Sequence, residues 1–384
     1  MKKCNVIFLV LLVALGWARY GEAFEKGFRK NEAGEMVDLC INVNGDGMVT
    51  NGVARDTLIP ADWEEVFDSA QGQVGGSDAD SGFGPYFNRW KLWQSKSRPN
   101  TYAIVIRGTI ADPNSIKQDF IATSMDATNT TVAGRAGFRE YRGVRFRLAE
   151  TTGAEVHTGF TFGLAILMFD EEKGILNRLR EMVPAESEIF ITGHSQGAAI
   201  ATLAHSFLYY AVRDNEFDLG AMGYRFKSYV FAQPKPGNWQ YAMDFAQNIG
   251  NGGMSFTVNN TYDVVPQVPL SIQLISETAS PFANGRLVPE YLVRTLKGLR
   301  LTASNFTNRM FSTLDQVAKR FDAKYCIAGS SLRTSKGDSL AYMPVGNVMA
   351  VRSEHGDEPL PKDDQLREHH LGLYKVLLSQ LESQ

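Results

Sequence analysis

One pentapeptide restricts the possible folds of this chain more than any other feature of the sequence. Residues 193–197 read Gly-His-Ser-Gln-Gly and stand between a short apolar run, Glu188 to Thr192, and an Ala-rich segment, Gln196 to Val212. The first pattern predicts a buried strand and the second predicts a helix. A serine flanked by glycines at such a turn is typical of a nucleophile elbow, because the tight turn crowds its neighbours. We therefore predict that Ser195 carries its hydroxyl above a sheet.

The rest of the chain alternates strand patterns with helix patterns. Such alternation favours an α/β fold with a mostly parallel central sheet flanked by helices. The sequence predicts further strands at Tyr102–Ile106, Ser228–Phe231 and Ser255–Val258, and helices at Pro60–Ala70, Phe160–Val183 and Gln365–Leu381.

Residues 1–23 are typical of a secretory signal peptide. A basic start precedes an apolar run over residues 4–18, and small residues follow up to Ala23. We predict cleavage after Ala23, with cleavage after Ala18 as the alternative. A membrane anchor is the other interpretation, but the run is shorter than the roughly 20 residues that a span requires. Residues 24–384 then form a single domain without a transmembrane segment, in a secreted or periplasmic protein.

Charge and cysteine content exclude some classes of protein and leave one question open. The net charge is −3 and no stretch is strongly basic, which disfavours a nucleic-acid partner, because phosphates require clustered Lys and Arg. Removal of the signal peptide leaves Cys40 and Cys326. In an oxidising compartment these two residues either form one disulfide or remain free.

A serine hydroxyl becomes a good nucleophile only when a base takes its proton, and an acid usually orients that base. Downstream of Ser195, His205 falls in the helix after the elbow and His355 in a charged loop, which leaves His369 and His370 as candidate bases. Asp263 is the preferred acid because it follows a predicted strand. The other candidate acids are Asp214, Asp218, Asp244, Asp315 and Asp322.

Five segments resemble, in the same order, the motifs of the class 3 lipases, an α/β-hydrolase family that acts on triacylglycerols and related esters. Each motif alone is weakly specific, but five in order over residues 101–266 are strongly specific. The matching segments are Arg107–Thr109, Val156–Phe160, Gly193–Gly197, Phe231–Asn238 and Val258–Pro266. The last segment carries one extra residue relative to the family pattern.

The resemblance implies a role for each residue of a Ser-His-Asp triad. Ser195 would be the nucleophile and Asp263 the acid. The family's base lies in an H-x-L-x-x-Y pattern, which favours His369 as the base and keeps His370 as the alternative. The stretch from Asp263 to His369 is longer than in compact members. Its helical spacing over residues 289–320 predicts a helical insertion, of which 276–330 either packs on the body or caps the substrate site.

The resemblance also implies an oxyanion hole. Thr109 and Gln196 would donate backbone N–H groups, and the Thr109 hydroxyl would add a third donor. Asp119 resembles a structural aspartate of the family, and His157 is expected to pack or bond beside the active site without transferring protons. The family usually has a tryptophan before that aspartate, where this chain has Gln118. Gln118 lies within residues 110–122, which are predicted to form a short amphipathic lid. The departure therefore affects the behaviour expected of that lid.

These patterns together predict a secreted lipase or carboxylesterase that hydrolyses acylglycerol or other lipid esters at a lipid–water interface. The reaction requires no metal and no organic cofactor. A phospholipase A1 or a short-chain carboxylesterase would use the same triad, and a peptidase is a less favoured alternative. A lipase-like protein that binds a partner without turnover is a different class, although a pure binder has no need of a triad. The sequence predicts no oligomeric state.

Overall fold

The computed structural model describes residues 24–44, 60–71, 82–136, 139–269, 271, 339, 341–354, 364 and 366–381. The predicted signal peptide, the predicted cap over 276–330, Cys326 and His355 lie outside these ranges. Among the described residues, no helix is long and apolar enough to cross a membrane.

The described residues form strands and helices in an alternating order. The strands are β1 (Trp63–Asp68), β2 (Trp90–Ser95), β3 (Thr101–Ile106), β4 (Ser124–Asp126), β5 (Thr130–Ala136), β6 (Arg139–Phe146), β7 (Glu155–His157), β8 (Glu188–His194), β9 (Arg225–Phe231), β10 (Gly237–Asn238), β11 (Ser255–Asn260), β12 (Tyr342–Met343) and β13 (Asn347–Val351). The α-helices are α1 (Lys30–Val43), α2 (Pro113–Phe120), α3 (Thr158–Phe169), α4 (Ile175–Met182), α5 (Gln196–Arg213), α6 (Trp239–Asn248) and α7 (Leu371–Gln380).

A seven-stranded sheet in the order β1-β2-β3-β8-β9-β11-β13 forms the centre of the fold. Strands β3, β8, β9, β11 and β13 run parallel, while β1 and β2 pair antiparallel at one edge. This arrangement confirms the predicted α/β fold with a mostly parallel sheet. A four-stranded sheet (β12-β10-β7-β4) and the antiparallel pair β5-β6 account for the other strands of the described residues.

Both faces of the central sheet are covered, as the alternation along β3 illustrates. Ile104 and Ile106 point into a hydrophobic core that helices α3 and α5 also line. Ala103 and Val105 point into a second core on the opposite face, which α1 and α7 cover. All six residues of β3 are buried, as expected for a central strand between two helical layers.

Two predicted helices are wrong. Residues 60–70, predicted as a helix, contain strand β1, which pairs antiparallel with β2 and buries the Trp63 side chain in a core. The single helix predicted from Phe160 to Val183 is two helices, α3 and α4. Asp170 adopts an extended conformation, and its carboxylate accepts N–H groups from Glu172 and Lys173, which stops α3.

The Cys40 side chain on α1 is buried, with its Sγ 3.3 Å from Thr192 Oγ1 on β8. Burial raises the pKa of this thiol to about 12, so it stays protonated at neutral pH. Its pairing with Cys326 stays a prediction, because Cys326 lies outside the described residues.

Candidate active site

Ser195 stands at a sharp turn between β8 and α5, as the pentapeptide predicts. Its φ of 59° and ψ of −131° lie in a region that L-residues rarely adopt. A side chain at Gly193 would collide with the Gly197 carbonyl, and one at Gly197 would collide with the Ile106 carbonyl of β3. The two glycines therefore allow the strand, the turn and the helix to approach closely enough to raise the serine above the sheet edge.

The structure brings Ser195, His369 and Asp263 into one line of hydrogen bonds. His369 Nε2 lies 2.9 Å from Ser195 Oγ, and His369 Nδ1 lies 2.8 Å from Asp263 Oδ2. A carboxylate only accepts, so Nδ1 carries the proton and Nε2 is left to accept the proton of the serine. His369 and Asp263 are buried, with 4% and 1% of their surfaces exposed. The three residues have the geometry that nucleophilic catalysis requires.

The Asp263 carboxylate accepts three hydrogen bonds that fix its position. Besides His369, the Tyr374 hydroxyl donates to Oδ2 at 2.8 Å and the Val265 backbone N–H donates to Oδ1 at 2.9 Å. The Tyr374 oxygen in turn accepts the Asn260 backbone N–H at 3.0 Å. Burial, followed by the charge of Asp263, raises the pKa of Tyr374 well above its ordinary value. Tyr374 therefore acts as a neutral donor that ties α7 to the end of β11.

Tyr374 and His194 are site residues whose roles sequence reasoning missed. Tyr374 is the last residue of the H-x-L-x-x-Y pattern, and His194 is the second residue of the nucleophile elbow. The buried His194 ring places Nε2 2.9 Å from the His369 carbonyl, and burial holds its pKa well below the ordinary value. As a neutral ring, it packs 4.5 Å from the imidazole of His369. The motif spacing was the available signal, but only the fold showed what the two side chains contact.

The alternative base His370 and the other histidines downstream of Ser195 have different partners or lie outside the described residues. His370 Nε2 bonds Asp364 Oδ1 at 2.8 Å. His205 is buried in α5, where its Nδ1 lies 2.9 Å from Ser228 Oγ and burial lowers its pKa to about 3. The predicted helix over 365–381 begins instead as a 3₁₀ turn at Arg367–His369, which precedes α7.

Thr109 and Gln196, the predicted oxyanion donors, belong to segments next to the serine: Gln196 follows Ser195 directly, and a Cβ at Gly108 would lie 3.3 Å from the Ser195 Cβ. Thr109 lies three residues beyond the end of β3, and Gln196 begins α5. Among the described residues, no hydrogen bond occupies the backbone N–H of either residue. The N–H groups of a helix's first turn lack partners within the helix and are suited to an anion. The Thr109 hydroxyl, however, donates to Asp119 Oδ2 at 2.9 Å and is not free to act as the third donor.

Asp119 joins the two residues of the candidate oxyanion hole. Its Oδ1 accepts from Gln196 Nε2 at 2.7 Å, and its Oδ2 accepts from Thr109. Gln196 Nε2 also donates to the Ser115 carbonyl at 3.1 Å, so helix α2 holds the Gln196 side chain at two points. Desolvation raises the pKa of Asp119 to about 6, and the two hydrogen bonds oppose that increase. This contact fits the structural part that the sequence predicts for Asp119.

Helix α2 lies within the predicted lid segment and presents an apolar surface. Ile116 and Phe120 are four residues apart and share one helix face. They are 42% and 62% exposed, whereas Ile121 directly after the helix is buried. The helix is therefore amphipathic, as predicted for residues 110–122.

His157 caps α3 and is fully buried. Its Nδ1 accepts the backbone N–H of Phe160 at 3.3 Å, and its ring stacks on the Phe160 ring with centroids 3.9 Å apart. Burial lowers the pKa of His157 to about 3, so the ring is neutral. These contacts agree with a packing residue that transfers no proton.

The fold and the serine turn define the class: this is a protein of the α/β-hydrolase fold with a serine at a nucleophile elbow. Residues 103–273 match the family model described as Lipase (class 3). This match agrees with the resemblance of the five motifs to that family.

Two curated relatives and one solved structure illustrate the similarity. The secreted mono- and diacylglycerol lipase A of Penicillium cyclopium is 33% identical over 156 residues, which cover 38% of this chain and 46% of that protein. A secreted mono- and diacylglycerol lipase of Malassezia restricta is 26% identical over 238 residues, which cover 58% and 69%. The chain thus spans about half the length of the first relative. The triacylglyceride lipase of Rhizomucor miehei is 19% identical with a TM-score of 0.38, over 64% of this chain and 77% of that chain.

Proposed function

We propose that this protein is a secreted serine ester hydrolase that cleaves acylglycerols or related lipid esters. The observation that carries the proposal is the continuous hydrogen-bonded line from Ser195 through His369 to Asp263. Ser195 is the nucleophile, His369 the general base and acid, and Asp263 the group that orients the imidazole. The substrate class rests on the family assignment and on the names of the relatives.

The first half of the reaction forms an acyl-enzyme. Ser195 Oγ attacks the ester carbonyl carbon while its proton passes to His369 Nε2. The carbonyl oxygen becomes an oxyanion and accepts the backbone N–H groups of Thr109 and Gln196. The tetrahedral intermediate then collapses, and the alcohol leaves with the proton from His369. Loss of one such oxyanion donor typically lowers turnover by about 10²–10³.

The second half repeats these steps with water as the nucleophile. His369 takes a proton from water, the hydroxide attacks the acyl carbon, and Ser195 leaves with the proton returned by His369. The products are a fatty acid and an alcohol. Asp263 stabilises the charged imidazole at each step without taking its proton. Every proton transfer uses residues of this chain and needs no metal or organic cofactor.

A lipid surface is the proposed place of action. Ile116 and Phe120 expose an apolar face on α2, the helix that also holds Gln196 and Asp119. Contact of that face with lipid would remove apolar surface from water, which favours adsorption at an interface. The proposed signal peptide over 1–23 agrees with the names of the relatives, which are called secreted mono- and diacylglycerol lipases.

Hydrolysis of p-nitrophenyl esters from acetyl to palmitoyl, together with emulsified mono-, di- and triacylglycerol, tests the proposal. We expect turnover of the long-chain and acylglycerol substrates, with loss of more than about 10⁴-fold in Ser195→Ala and His369→Gln. His370→Gln is the matched control and should retain activity, because His370 bonds Asp364 instead of Ser195.

Other outcomes identify other functions. Turnover of short esters alone indicates a carboxylesterase, and preferential cleavage of phospholipid indicates a phospholipase A1. Folded wild-type protein that hydrolyses no ester, and whose Ser195 resists a fluorophosphonate probe, would contradict the proposal and favour a binding protein.

A further inference from the structure

The segment that follows the predicted cleavage site is fixed to the amino end of the central sheet. Over residues 24–29, a backbone carbonyl and a backbone N–H group form hydrogen bonds with side chains of β9. The Glu25 carbonyl accepts from the buried Lys227 Nζ at 2.7 Å, and the Arg29 N–H donates to the Tyr229 hydroxyl at 3.1 Å. The chain therefore has a defined path from its first described residue onward.

Phe24 itself makes two contacts with strand β8. Its ring packs edge-on against Phe190, with ring centroids 4.6 Å apart. Its backbone N–H donates to Glu188 Oε1 at 2.6 Å. The Glu188 side chain is 14% exposed and also pairs with Arg225 Nη2 at 2.5 Å. A carboxylate thus stands directly at the nitrogen atom that joins Phe24 to Ala23.

Two acidic residues near Phe24 already have cationic partners of their own. A cavity of about 1280 Å³ borders Phe24 and is lined by Glu32, Glu35 and Glu188, among others. Glu32 pairs with Lys227 at 2.6 Å, and Glu35 pairs with Arg98. Of these three carboxylates, Glu188 is the one whose partners include the Phe24 nitrogen.

We propose that Glu188 is the docking site for the α-ammonium group of a mature N-terminus at Phe24. Hydrolysis of the Ala23–Phe24 peptide bond consumes one water and leaves a carboxylate on Ala23 and an α-ammonium on Phe24. The hydrogen bond from an uncharged amide to the Glu188 carboxylate then becomes an ion pair, with the Phe24 ring against Phe190 as its apolar anchor. This inference rests on the predicted cleavage after Ala23 and is independent of ester hydrolysis.

Processing therefore adds a charged contact to β8, the strand that directly precedes Ser195. An α-ammonium donor adds Coulomb attraction to the hydrogen bond that the uncharged amide already makes with this carboxylate. A chain cut after Ala18, or left uncut, presents only the neutral amide to Glu188. The mature chain is thus expected to be bound more firmly at the start of β8 than its precursor.

The identity of the mature N-terminus tests the first half of the proposal. The full chain is expressed through a eukaryotic secretory pathway, and the purified protein is analysed by intact mass and N-terminal sequencing. We expect a chain that begins at Phe24. A chain that begins at Arg19, or that retains residues 1–23, would overturn the proposal. Neither result depends on whether the protein hydrolyses an ester.

The reactivity of the α-amine tests the second half. An ordinary α-ammonium has a pKa of about 8, and an ion pair that raises this value by one unit lowers the free amine at pH 7 about tenfold. The mature protein is labelled at pH 7 with an amine-reactive acylating reagent, and peptide mass spectrometry follows acylation of the Phe24 nitrogen. We expect Glu188→Gln to accelerate acylation about tenfold. A rate in this variant equal to that of wild type would overturn the proposal.

Two further variants separate the ion pair from general loosening of the fold. Glu186→Gln alters an exposed acidic residue that lines the same cavity, and it should leave the acylation rate unchanged. Arg225→Met removes the competing cation of Glu188, so it should slow acylation below the wild-type rate. Acylation that is unchanged or faster in folded Arg225→Met would contradict the docking site, even if Glu188→Gln failed to fold.

Discussion

The two ends of strand β8 place polar groups in different ways. At the carboxyl end, Ser195, His369 and Asp263 are joined by hydrogen bonds between groups that are largely buried. At the amino end, Glu188 pairs with Arg225 at the edge of an open cavity. The first end arranges atoms for a reaction, whereas the second holds the chain to the sheet.

This difference predicts that mutations at the two ends will separate turnover from stability. Groups at the carboxyl end act on atoms that change charge during a reaction, so their loss should lower kcat. Groups at the amino end act only on the folded state, so their loss should lower the melting temperature. The variants below are ordered from the largest expected effect to the smallest.

Asp263→Asn should give the largest effect. The amide can donate where the carboxylate accepted, which favours the wrong tautomer of His369 and should lower kcat about 10⁴-fold. The melting temperature should change little, because the side chain keeps its shape. Steady-state kinetics and thermal melts measure both quantities. Asp364→Asn removes the partner of His370 and serves as the control. Equal losses of turnover in the two variants would contradict the assigned acid.

Lys227→Met should lower stability without lowering turnover. The Lys227 side chain is fully buried and pairs with Glu32, so its removal leaves a largely buried carboxylate without this cation. Breaking such a pair costs about 3–5 kcal/mol of unfolding free energy. Thermal melts and kcat of the folded protein test this expectation, with the exposed Lys26→Met as control. A parallel fall in kcat would show that the two ends of the sheet are coupled.

Asp119→Asn should change how stability depends on pH. Desolvation raises the pKa of Asp119 from 3.8 to about 6, so the folded state binds the proton more tightly than the unfolded state. The stability of wild type relative to the variant should therefore fall by at most about 3 kcal/mol as pH rises from 4 to 6, and level off above that range. Urea unfolding at several pH values measures this difference. A constant difference would mean that Asp119 titrates normally.

Tyr374→Phe should give the smallest change in free energy of the four variants. It removes one of the three donors to the Asp263 carboxylate, worth about 1.5 kcal/mol, and should lower kcat about tenfold. Tyr262→Phe removes a hydroxyl that contacts the exposed Arg352 and is the matched control. If both substitutions leave kcat unchanged, two donors suffice to hold Asp263.

Much of the fold could be predicted because local pattern and tertiary structure agree there. The apolar runs at Tyr102–Ile106 and Ser255–Val258 form buried strands. A parallel strand that is covered on both faces needs apolar residues on both, so it appears in the sequence as a continuous apolar run. The prediction failed at residues 60–70, where pairing with β2 outweighs the local helical spacing. It also missed the end of α3 at Asp170, where the Asp170 carboxylate accepts the backbone N–H groups of the turn that follows.

The site was only partly predictable, because motifs identify residue types but not their contacts. The family pattern favoured His369 over His370, and the fold brings His369 to Ser195. No local pattern indicated that the Thr109 hydroxyl would bond Asp119, since that contact depends on how α2 packs against the elbow. The pKa increase of Asp119 arises from the same packing and was equally invisible in the sequence.

The register of the central sheet has a consequence for how this chain tolerates changes in length. Ile106 pairs with Gly193 across β3 and β8, and Phe256 pairs with Asn347 across β11 and β13. The hydrogen-bond register between neighbouring strands therefore fixes the spacing of the reactive groups that follow these strands. Each doubling of a connection's length costs only about 0.6 kcal/mol in closure entropy. The connection between α5 and β9, residues 214–224, can thus lengthen or shorten through evolution or engineering while the register of the sheet stays the same.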